Sequence, residues 1–308
     1  MIRTENLTKR FDKTLALNDL SCSIPDGSIY GLVGSNGAGK STFLRLITGI
    51  YRPTSGSIDY DGKAVFDNPE IKSRIAFVPD ELYFASQSSL NEMAKLYGAI
   101  YPNFSYDRFK YLVGTFMLPC NSNINTFSKG MRRQAAIILA LSAMPDYLFF
   151  DESFDGLDPI IRNLVKQLIY NDVAERGTTV IISSHSLREL EDTCDQLALL
   201  HKGGLVLESD VQNLKTSLYK VQIAFSQPFD KEQFRELDPL EYSQNGSVAV
   251  LIARGNKDAA VEKLKAMNPT LLDVLPLTLE EVFVHELSAL GYSFNSLGLD
   301  FQGGIEHE

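Results

Sequence analysis

Apolar residues in the first third of the chain come in short runs that are separated by turn sequences such as Asp26-Gly27 and Asp61-Gly62. Such runs are typical of β-strands. The run at 28–33 predicts a strand, and the apolar positions at 43–47 follow helical spacing until Gly49. Another buried strand is predicted at 75–78, where the apolar run stops at Pro79. This region therefore alternates predicted strands with a helix.

The hydrophobic spacing becomes helical from residue 88 to about residue 144, which predicts a helical subdomain inserted at about 85–145. Apolar residues then fill 147–150 without interruption, as expected for a strand in the middle of a parallel sheet. A helix at 159–174, a strand at 178–183 and a hairpin at 197–207 are predicted next. Ser186 and Glu189 have the spacing of a capping box, which predicts that Ser186 caps the following helix.

The pattern changes after roughly residue 215. Strands are predicted at 219–225, 247–253 and 271–275, and helices at 257–267 and 279–287. This order is typical of a small α+β domain, to which we assign residues 216–290. The remaining tail, 291–308, is weakly patterned and expected to be pliable. The sequence therefore predicts an α/β domain at 1–215, followed by the α+β domain and the tail.

The composition argues against several classes of protein. The chain carries 29 Lys and Arg residues against 39 Asp and Glu residues, so its formal net charge is −10. This charge disfavours nucleic acid and anionic membrane surfaces as direct partners. The three scattered cysteines predict reduced thiols, not a disulfide or metal framework. The longest apolar run, 135–144, is much shorter than the ~20 residues that a membrane-spanning helix needs, so we expect another chain to supply any spans.

A glycine-rich stretch, GSNGAGKST at 34–42, lies between the predicted strand at 28–33 and the helix that follows it. Glycines there let backbone N–H groups converge on phosphate oxygens, and the helix N-terminus adds partial positive charge. Lys40 is expected to reach the β- and γ-phosphates, and the Ser41 hydroxyl to hold Mg²⁺. The chain is therefore predicted to bind a nucleoside triphosphate through Ser35, Asn36, Gly37, Ala38, Gly39, Lys40, Ser41 and Thr42.

Asp151 and Glu152 follow the apolar run at 147–150 and complete the pattern of a nucleotide hydrolase. A carboxylate at the carboxyl end of a central strand lies beside the phosphate loop, where Asp151 is expected to hold Mg²⁺. Glu152 is placed to polarise the attacking water. Without the phosphate loop upstream, the same pair would indicate only a strand that meets a turn.

Further motifs resemble those of ABC-type ATPases. The stretch SKGMRRQ at 128–134 is similar to the signature motif of that family, and Gly156-Leu157-Asp158 is similar to its D-loop. His185 resembles the switch histidine, and Phe11 resembles the aromatic residue that stacks on adenine. The resemblance covers about residues 1–215, in the family's order and spacing. Taken singly, Asp158 also fits a helix N-cap, His185 an ordinary loop residue and Phe11 a core aromatic.

The resemblance implies a P-loop NTPase (ABC ATPase) core of the α/β class that binds ATP and Mg²⁺. In the family two cassettes meet head to tail, so that each signature helix covers the γ-phosphate held by the other subunit. It implies that Ser128, Lys129 and Gly130 contact the opposing ATP and that Asp158 crosses the interface. It also implies that His185 bonds the γ-phosphate and the attacking water. The implied catalytic residues are Lys40, Glu152 and His185.

Two departures from the family pattern bear on catalysis. Asp80 stands where the family usually has Gln, and its carboxylate can still meet Mg²⁺ or its waters, although it adds negative charge near the phosphates. Lys129 stands where Gly is usual, and Met131 where Gln is usual. The Lys129 ammonium either attracts the opposing γ-phosphate or points into solvent. Because the catalytic residues are retained, we expect an active site with slower turnover or a greater reliance on a partner.

The single cassette, the lack of spans and the C-terminal stretch at 276–283 resemble ATPases that are paired with ABC-2-type membrane subunits. The variants at 79–81 and 128–131 resemble the bacterial branch that exports peptides, toxins, antibiotics or lipid-linked material. The implied partners are a second cassette and a separate multi-span permease. The sequence leaves open whether the second cassette is another copy of this chain or a different chain, and a full set of catalytic residues in one chain favours a homodimer. Membrane contact would occur only through the permease, at the cytoplasmic face of the cell membrane.

Two other functions stay open at this stage. A soluble ABC-type ATPase acting in translation or DNA repair usually carries two fused cassettes, or a long coiled coil with basic surfaces. A regulatory binding module with weak catalysis would fit the unusual residues Asp80 and Lys129. ATP turnover by the reconstituted complex would separate the binding module from a transport ATPase. The sequence leaves the cargo undetermined, since no residue of this subunit needs to touch it.

Overall fold

The computed structural model describes residues 1–292, and the predicted tail beyond Tyr292 lies outside the described residues. Within them the chain divides into two compact units, residues 1–208 and the residues from Ser209 onward.

The first ten strands are β1 (Ile2–Phe11), β2 (Thr14–Ile24), β3 (Ile29–Val33), β4 (Ser55–Tyr60), β5 (Lys63–Ala64), β6 (Ile75–Val78), β7 (Tyr147–Asp151), β8 (Thr179–Ser184), β9 (Gln196–His201) and β10 (Gly204–Asp210). They form an antiparallel sheet in the order β2-β1-β4-β5 and a six-stranded sheet in the order β10-β9-β3-β8-β7-β6. Strands β9, β3, β8, β7 and β6 run parallel, as the uninterrupted apolar run at 147–150 predicts.

The helices of this part of the chain are α1 (Lys40–Ile47), α2 (Pro69–Lys72), α3 (Leu90–Ile100), α4 (Tyr106–Phe116), α5 (Lys129–Ser142), α6 (Pro159–Arg176) and α7 (Leu187–Glu191). Helices α3, α4 and α5 lie between β6 and β7 in the chain, so the prediction of inserted helices is confirmed. A serine precedes each of the three and accepts a backbone hydrogen bond in its first turn, at Ser89, Ser105 and Ser128.

The central strands of the six-stranded sheet are completely buried, and this burial fixes the register in which they pair. Every residue of β3, β7 and β8 is buried, including Phe149 and Phe150 at 0% exposure. Burying each such ring contributes about 1.5–3 kcal/mol, which resists any slip in register. Asp151 is the register partner of Ser183 across β7 and β8, and Val33 pairs with Ser184 across β3 and β8. The segments that follow β3, β7 and β8 therefore begin side by side.

The predicted capping box at α7 is wrong. Ser186 precedes the helix but makes no side-chain cap hydrogen bond. The Ser184 hydroxyl instead accepts from the Ser186 backbone N–H at 3.0 Å and donates to Glu189 Oε2 at 2.8 Å. A serine at the end of β8 thus takes the partner that the spacing assigned to Ser186, because the strand brings its hydroxyl over the first turn of α7.

The second unit contains β11 (Leu218–Ala224), β12 (Glu241–Asn245), β13 (Val248–Arg254) and β14 (Leu271–Leu275), with α8 (Val211–Ser217), α9 (Lys257–Ala266) and α10 (Leu279–Ala289). The strands form an antiparallel sheet in the order β12-β13-β11-β14. Buried residues of β11 and β13, such as Val221 and Leu251, pack with Phe234 and with Leu264 of α9. Strand β12 and helix α8 were not predicted; β12 is a polar edge strand without an apolar alternation.

Candidate functional site

The glycine loop between β3 and α1 has a backbone that only glycine tolerates at two positions. Gly39 has φ +110°, and a Cβ there would lie 2.7 Å from Leu17 Cδ2 and 2.9 Å from the Ala16 carbonyl oxygen. A Cβ on Gly34 would lie 2.5 Å from the Leu200 carbonyl oxygen. Glycine at these positions therefore lets the loop pack against its neighbouring strands, and α1 begins directly behind the loop.

Lys40 is held at the centre of this loop. Its side chain is only 4% exposed, and its Nζ donates to the Gly34 carbonyl oxygen at 2.5 Å and to the Ser35 carbonyl oxygen at 3.2 Å. The same Nζ lies 3.0 Å from Glu152 Oε1. The ammonium is thus positioned by the loop itself and is paired with the carboxylate that the sequence predicts to be the base.

Asp151 is fully buried at the end of β7 and has one carboxylate oxygen to spare. Its Oδ1 accepts from Ser41 Oγ at 3.0 Å and from Ser183 Oγ at 2.8 Å. Its Oδ2 has no hydrogen-bond partner among the described residues. Burial raises the pKa of this carboxyl, while the two serine hydroxyls act in the opposite direction. A buried, unpartnered carboxylate oxygen beside a hydroxyl is a donor set that suits a hard divalent cation such as Mg²⁺.

Glu152 links Lys40 to His185. The residue has φ +46°, uncommon for a side chain that is not glycine, and its backbone N–H donates to the Ser183 Oγ at 3.1 Å. Glu152 Oε2 lies 3.2 Å from His185 Nδ1, and Asp155 Oδ2 lies 3.7 Å from the same nitrogen. This turn holds Glu152 Oε1 against Lys40 and Glu152 Oε2 against His185, so the carboxylate joins the glycine loop to the predicted switch histidine.

Lys40 and Glu152 border a cleft of about 480 Å³, which we call the phosphate-loop cleft, whereas Asp151 and His185 are not among its lining residues. It is lined by Thr14, Leu15, Ala16, Ser35, Asn36, Gly37, Gly39, Lys40, Ser41, Thr42, Asp80 and Glu152. Of the predicted loop residues, only Ala38 is absent from this lining; its side chain is buried, and its N–H donates to the Ser35 carbonyl oxygen at 3.1 Å. The structure thus brings the loop, Asp80 and Glu152 to one cavity.

Phe11 does not line the phosphate-loop cleft. Its ring is 39% exposed, meets Tyr51 edge-on with centroids 5.4 Å apart, and lies 4.8 Å from the Lys9 ammonium. Thr14, its partner across the β1–β2 hairpin, does line the cleft. A partly exposed ring next to the cleft is not a core aromatic, and it leaves surface on which a base can stack.

The signature and D-loop residues lie together but outside the phosphate-loop cleft. Ser128 caps α5 by accepting from the Met131 N–H at 3.2 Å, and Lys129 is exposed. A Cβ on Gly130 would lie 3.2 Å from the Gly156 carbonyl oxygen, so the start of α5 abuts the D-loop. Asp158 Oδ1 accepts from two N–H groups and caps α6, the role that its position also allowed in the sequence.

Two residues of the site escape sequence reasoning. Ser183 contacts both carboxylate residues, and the signal that could have found it is its position at the end of a strand adjacent to β7. Arg133 is 1% exposed and donates to Asp80 Oδ1 at 3.1 Å. Nothing in the helical pattern distinguishes it from Arg132 beside it.

Comparison with known proteins places this geometry in a family. The family model described as ABC transporter matches residues 17–155, and a model for an AAA domain matches residues 121–191. The ABC transporter ATP-binding protein YtrB of Bacillus subtilis is 31% identical over 92% of this chain and 97% of its own length. The bacitracin transport ATP-binding protein BcrA of Bacillus licheniformis is 31% identical over 91% of this chain and 94% of its own.

A solved structure of the ATP-binding subunit of an ABC transporter has a similar fold. It superposes with a TM-score of 0.65 at 26% identity, covering 70% of this chain and 92% of that one. The predicted fold class, an α/β ABC ATPase core, is therefore confirmed. Within residues 1–292, no helix combines the length and the apolar character that crossing a membrane requires.

Proposed function

This chain belongs to the ATP-binding subunits of ABC transporters, and we propose that it powers a bacterial exporter of peptides or antibiotics whose membrane domain is a separate permease. ATP hydrolysis coupled to transport is the activity of the family. The cargo class draws support from the bacitracin transport protein, which aligns along nearly the whole chain. The alternative of a soluble ATPase in translation or DNA repair is not favoured, because the full-length relatives are transport subunits.

In this proposal the phosphate-loop cleft binds the triphosphate of ATP. Lys40 and the loop N–H groups neutralise the β- and γ-phosphates, which the low exposure of Lys40 favours by excluding water. Ser41 and Asp151 Oδ2, which has no partner within residues 1–292, would hold Mg²⁺, and the metal would offset the charge on the phosphates. Asp80 lines the same cleft, where its carboxylate would meet water bound to the metal.

Glu152 activates the attacking water. Its Oε1 faces Lys40 and its Oε2 faces His185. When a γ-phosphate draws the Lys40 ammonium to itself, the Glu152 carboxylate loses a cationic partner and becomes a better proton acceptor. His185 then orients the water and the γ-phosphate. The row from Lys40 through Glu152 to His185, beside the unpartnered Asp151 oxygen, is the observation that carries the proposal.

The second partner is another copy of this chain. Ser128, Lys129, Gly130 and Asp158 do not line the phosphate-loop cleft of their own chain. In a head-to-tail homodimer these residues would contact the ATP that the other copy binds. Because each chain carries the full set of predicted site residues, the two ATP sites would be equivalent. The exposed Lys129 opens α5, where a cation is unfavourable to the helix, and an opposing γ-phosphate would compensate it.

The test is an affinity purification of the tagged Glu152→Gln chain from gently solubilised native cells with ATP and Mg²⁺. A stoichiometric chain with several apolar spans is the expected result, which would support a position of the ATPase chain at the cytoplasmic face of the membrane. A parallel purification with EDTA in place of Mg²⁺ should lose the paired second copy of the ATPase chain. Ribosomal proteins or DNA-repair factors without any membrane chain would contradict the exporter.

A further inference from the structure

We propose that Arg133 is a positioning residue for nucleotide binding: its guanidinium holds the Asp80 carboxylate at the rim of the phosphate-loop cleft and cancels its negative charge. This proposal rests on the proposed nucleotide site. In it, Arg133 reduces the electrostatic repulsion between the Asp80 carboxylate and the phosphates of the bound nucleotide. The pairing also ties the rim to α5, the helix that begins at Lys129.

The contacts of Arg133 are directed at one short segment. Its Nη1 donates to the carbonyl oxygens of Pro79 at 3.1 Å and of Asp80 at 3.0 Å, and its Nη2 donates to Asp80 Oδ1 at 3.1 Å. Its Nε has no partner among the described residues. Every hydrogen bond that the structure gives this guanidinium therefore goes to the segment where β6 ends. Such a fork fixes both the backbone and the carboxylate of Asp80.

The burial of the two partners differs, and this difference supports a role beyond packing. The Arg133 side chain is 1% exposed, whereas the Asp80 side chain is 53% exposed and lines the phosphate-loop cleft. Arg133 is thus a buried cation whose ionic partner, Asp80, faces the cleft. Its positive charge therefore acts at the wall of that cleft. Glu152 lines the same cleft, so an unpaired Asp80 would add a second negative charge beside the bound phosphates.

The charge of Arg133 also reaches the catalytic turn. Burial raises the pKa of Asp155, the Glu189 carboxylate raises it further, and the Arg133 guanidinium is among the groups that lower it. Asp155 in turn lies 3.7 Å from His185 Nδ1. The hydrogen bonds of Arg133 go to Pro79 and Asp80, so its contacts position Asp80 and not Asp155.

The experiment is a double-mutant cycle on the full chain, read out as the dissociation constant for the non-hydrolysable analogue AMP-PNP with Mg²⁺. Arg133→Gln should raise this constant by about tenfold or more, because it leaves the Asp80 charge unpaired beside the phosphates. Asp80→Asn alone supplies the reference value for the second half of the cycle. The double variant should bind within about threefold of Asp80→Asn, since the charge that Arg133 offsets is gone.

Arg108→Gln is the matched control. It also removes an arginine from an ion pair in which one partner is buried, in this case Asp172 at 2.7 Å, but neither residue lines the phosphate-loop cleft. It should lower the melting temperature without changing AMP-PNP binding. Melting curves of all variants separate misfolding from loss of binding.

Three outcomes would overturn an assignment. If Arg133→Gln binds AMP-PNP like wild type, or if the double variant binds as weakly as Arg133→Gln while melting like Asp80→Asn, the positioning role is wrong. If the folded wild-type chain itself fails to bind AMP-PNP with Mg²⁺, the proposed nucleotide site is wrong, and the role of Arg133 fails with it.

Discussion

Ser183→Ala tests whether one hydroxyl positions both Asp151 and Glu152, the carboxylates proposed to hold Mg²⁺ and to activate water. Ser183 Oγ donates to Asp151 Oδ1 at 2.8 Å and accepts from the Glu152 N–H at 3.1 Å, and the residue is 1% exposed. The Glu152 N–H keeps an alternative acceptor, the Ser183 carbonyl oxygen at 3.2 Å. The substitution therefore removes chiefly one hydrogen bond to a buried carboxylate.

The expected cost follows from that bond. A hydrogen bond to a charged group contributes about 1.5–3 kcal/mol, and the cavity left by one hydroxyl adds little. For a unit of about two hundred residues, 1 kcal/mol shifts the melting temperature by about 2–4 °C. Ser183→Ala should therefore melt about 3–12 °C below wild type. Steady-state ATP hydrolysis should fall at least about tenfold, because Asp151 and the Glu152 turn lose a shared anchor.

Ser142→Ala is the control, and Ser183→Thr the conservative variant. Ser142 is equally buried, but its hydroxyl donates to the Ile138 carbonyl oxygen within α5, a neutral bond whose loss the better helix propensity of alanine offsets. Ser142→Ala should keep its activity and melt near wild type, and Ser183→Thr should regain most of the lost activity. A Ser183→Ala protein that melts within about 1 °C of wild type and hydrolyses ATP normally would refute the reasoning.

Three further predictions concern other parts of the chain. Glu152→Gln should lower kcat by about a hundredfold or more while ATP still binds, and a rate within about threefold of wild type would remove Glu152 from catalysis. Gly39→Ala should abolish nucleotide binding in equilibrium dialysis, because its Cβ would lie 2.7 Å from Leu17 Cδ2 at a φ of +110°; unchanged affinity would contradict the need for glycine. Burial opposes ionisation of Glu281, but the Lys220 ammonium at 2.6 Å outweighs it and lowers the pKa of this carboxyl. Its ionised form therefore stabilises the fold above the ordinary glutamate pKa, and this contribution is lost as the pH falls through the lowered value. Melting temperatures of wild type and Glu281→Gln should accordingly converge on acidification, and a constant difference would refute the assignment.

Much of the site could be predicted because its residues are joined by short, local patterns. The glycine loop precedes a helix, and Asp151 and Glu152 terminate an apolar strand, so chain order alone placed Lys40 and Glu152 at the same edge of a parallel sheet. The signature stretch supported the family in the same way. Roles that depend on a second chain, such as that of Lys129, stay predictions.

The wrong or absent predictions have a common physical cause. Each depends on a contact in space that the spacing of residues along the chain does not encode. Ser186 and Glu189 have the spacing of a capping box, yet Ser184 takes the glutamate because β8 carries its hydroxyl over α7. Strand β12 has no apolar alternation, and it forms by pairing with β13 at the edge of a sheet. Such contacts bring together segments whose own sequences do not specify each other.

The amino-acid order by itself indicated the fold class, the phosphate loop and the Asp151-Glu152 pair, because these signals are short patterns of neighbouring residues and their order along the chain. Only the tertiary structure decided which partners hold those groups. It left Asp151 Oδ2 without a partner in the part of the chain that is described, and it joined Arg133 to Asp80 across more than fifty residues. Electrostatic partnership depends on distance and burial in space, and both are set by packing of the whole unit.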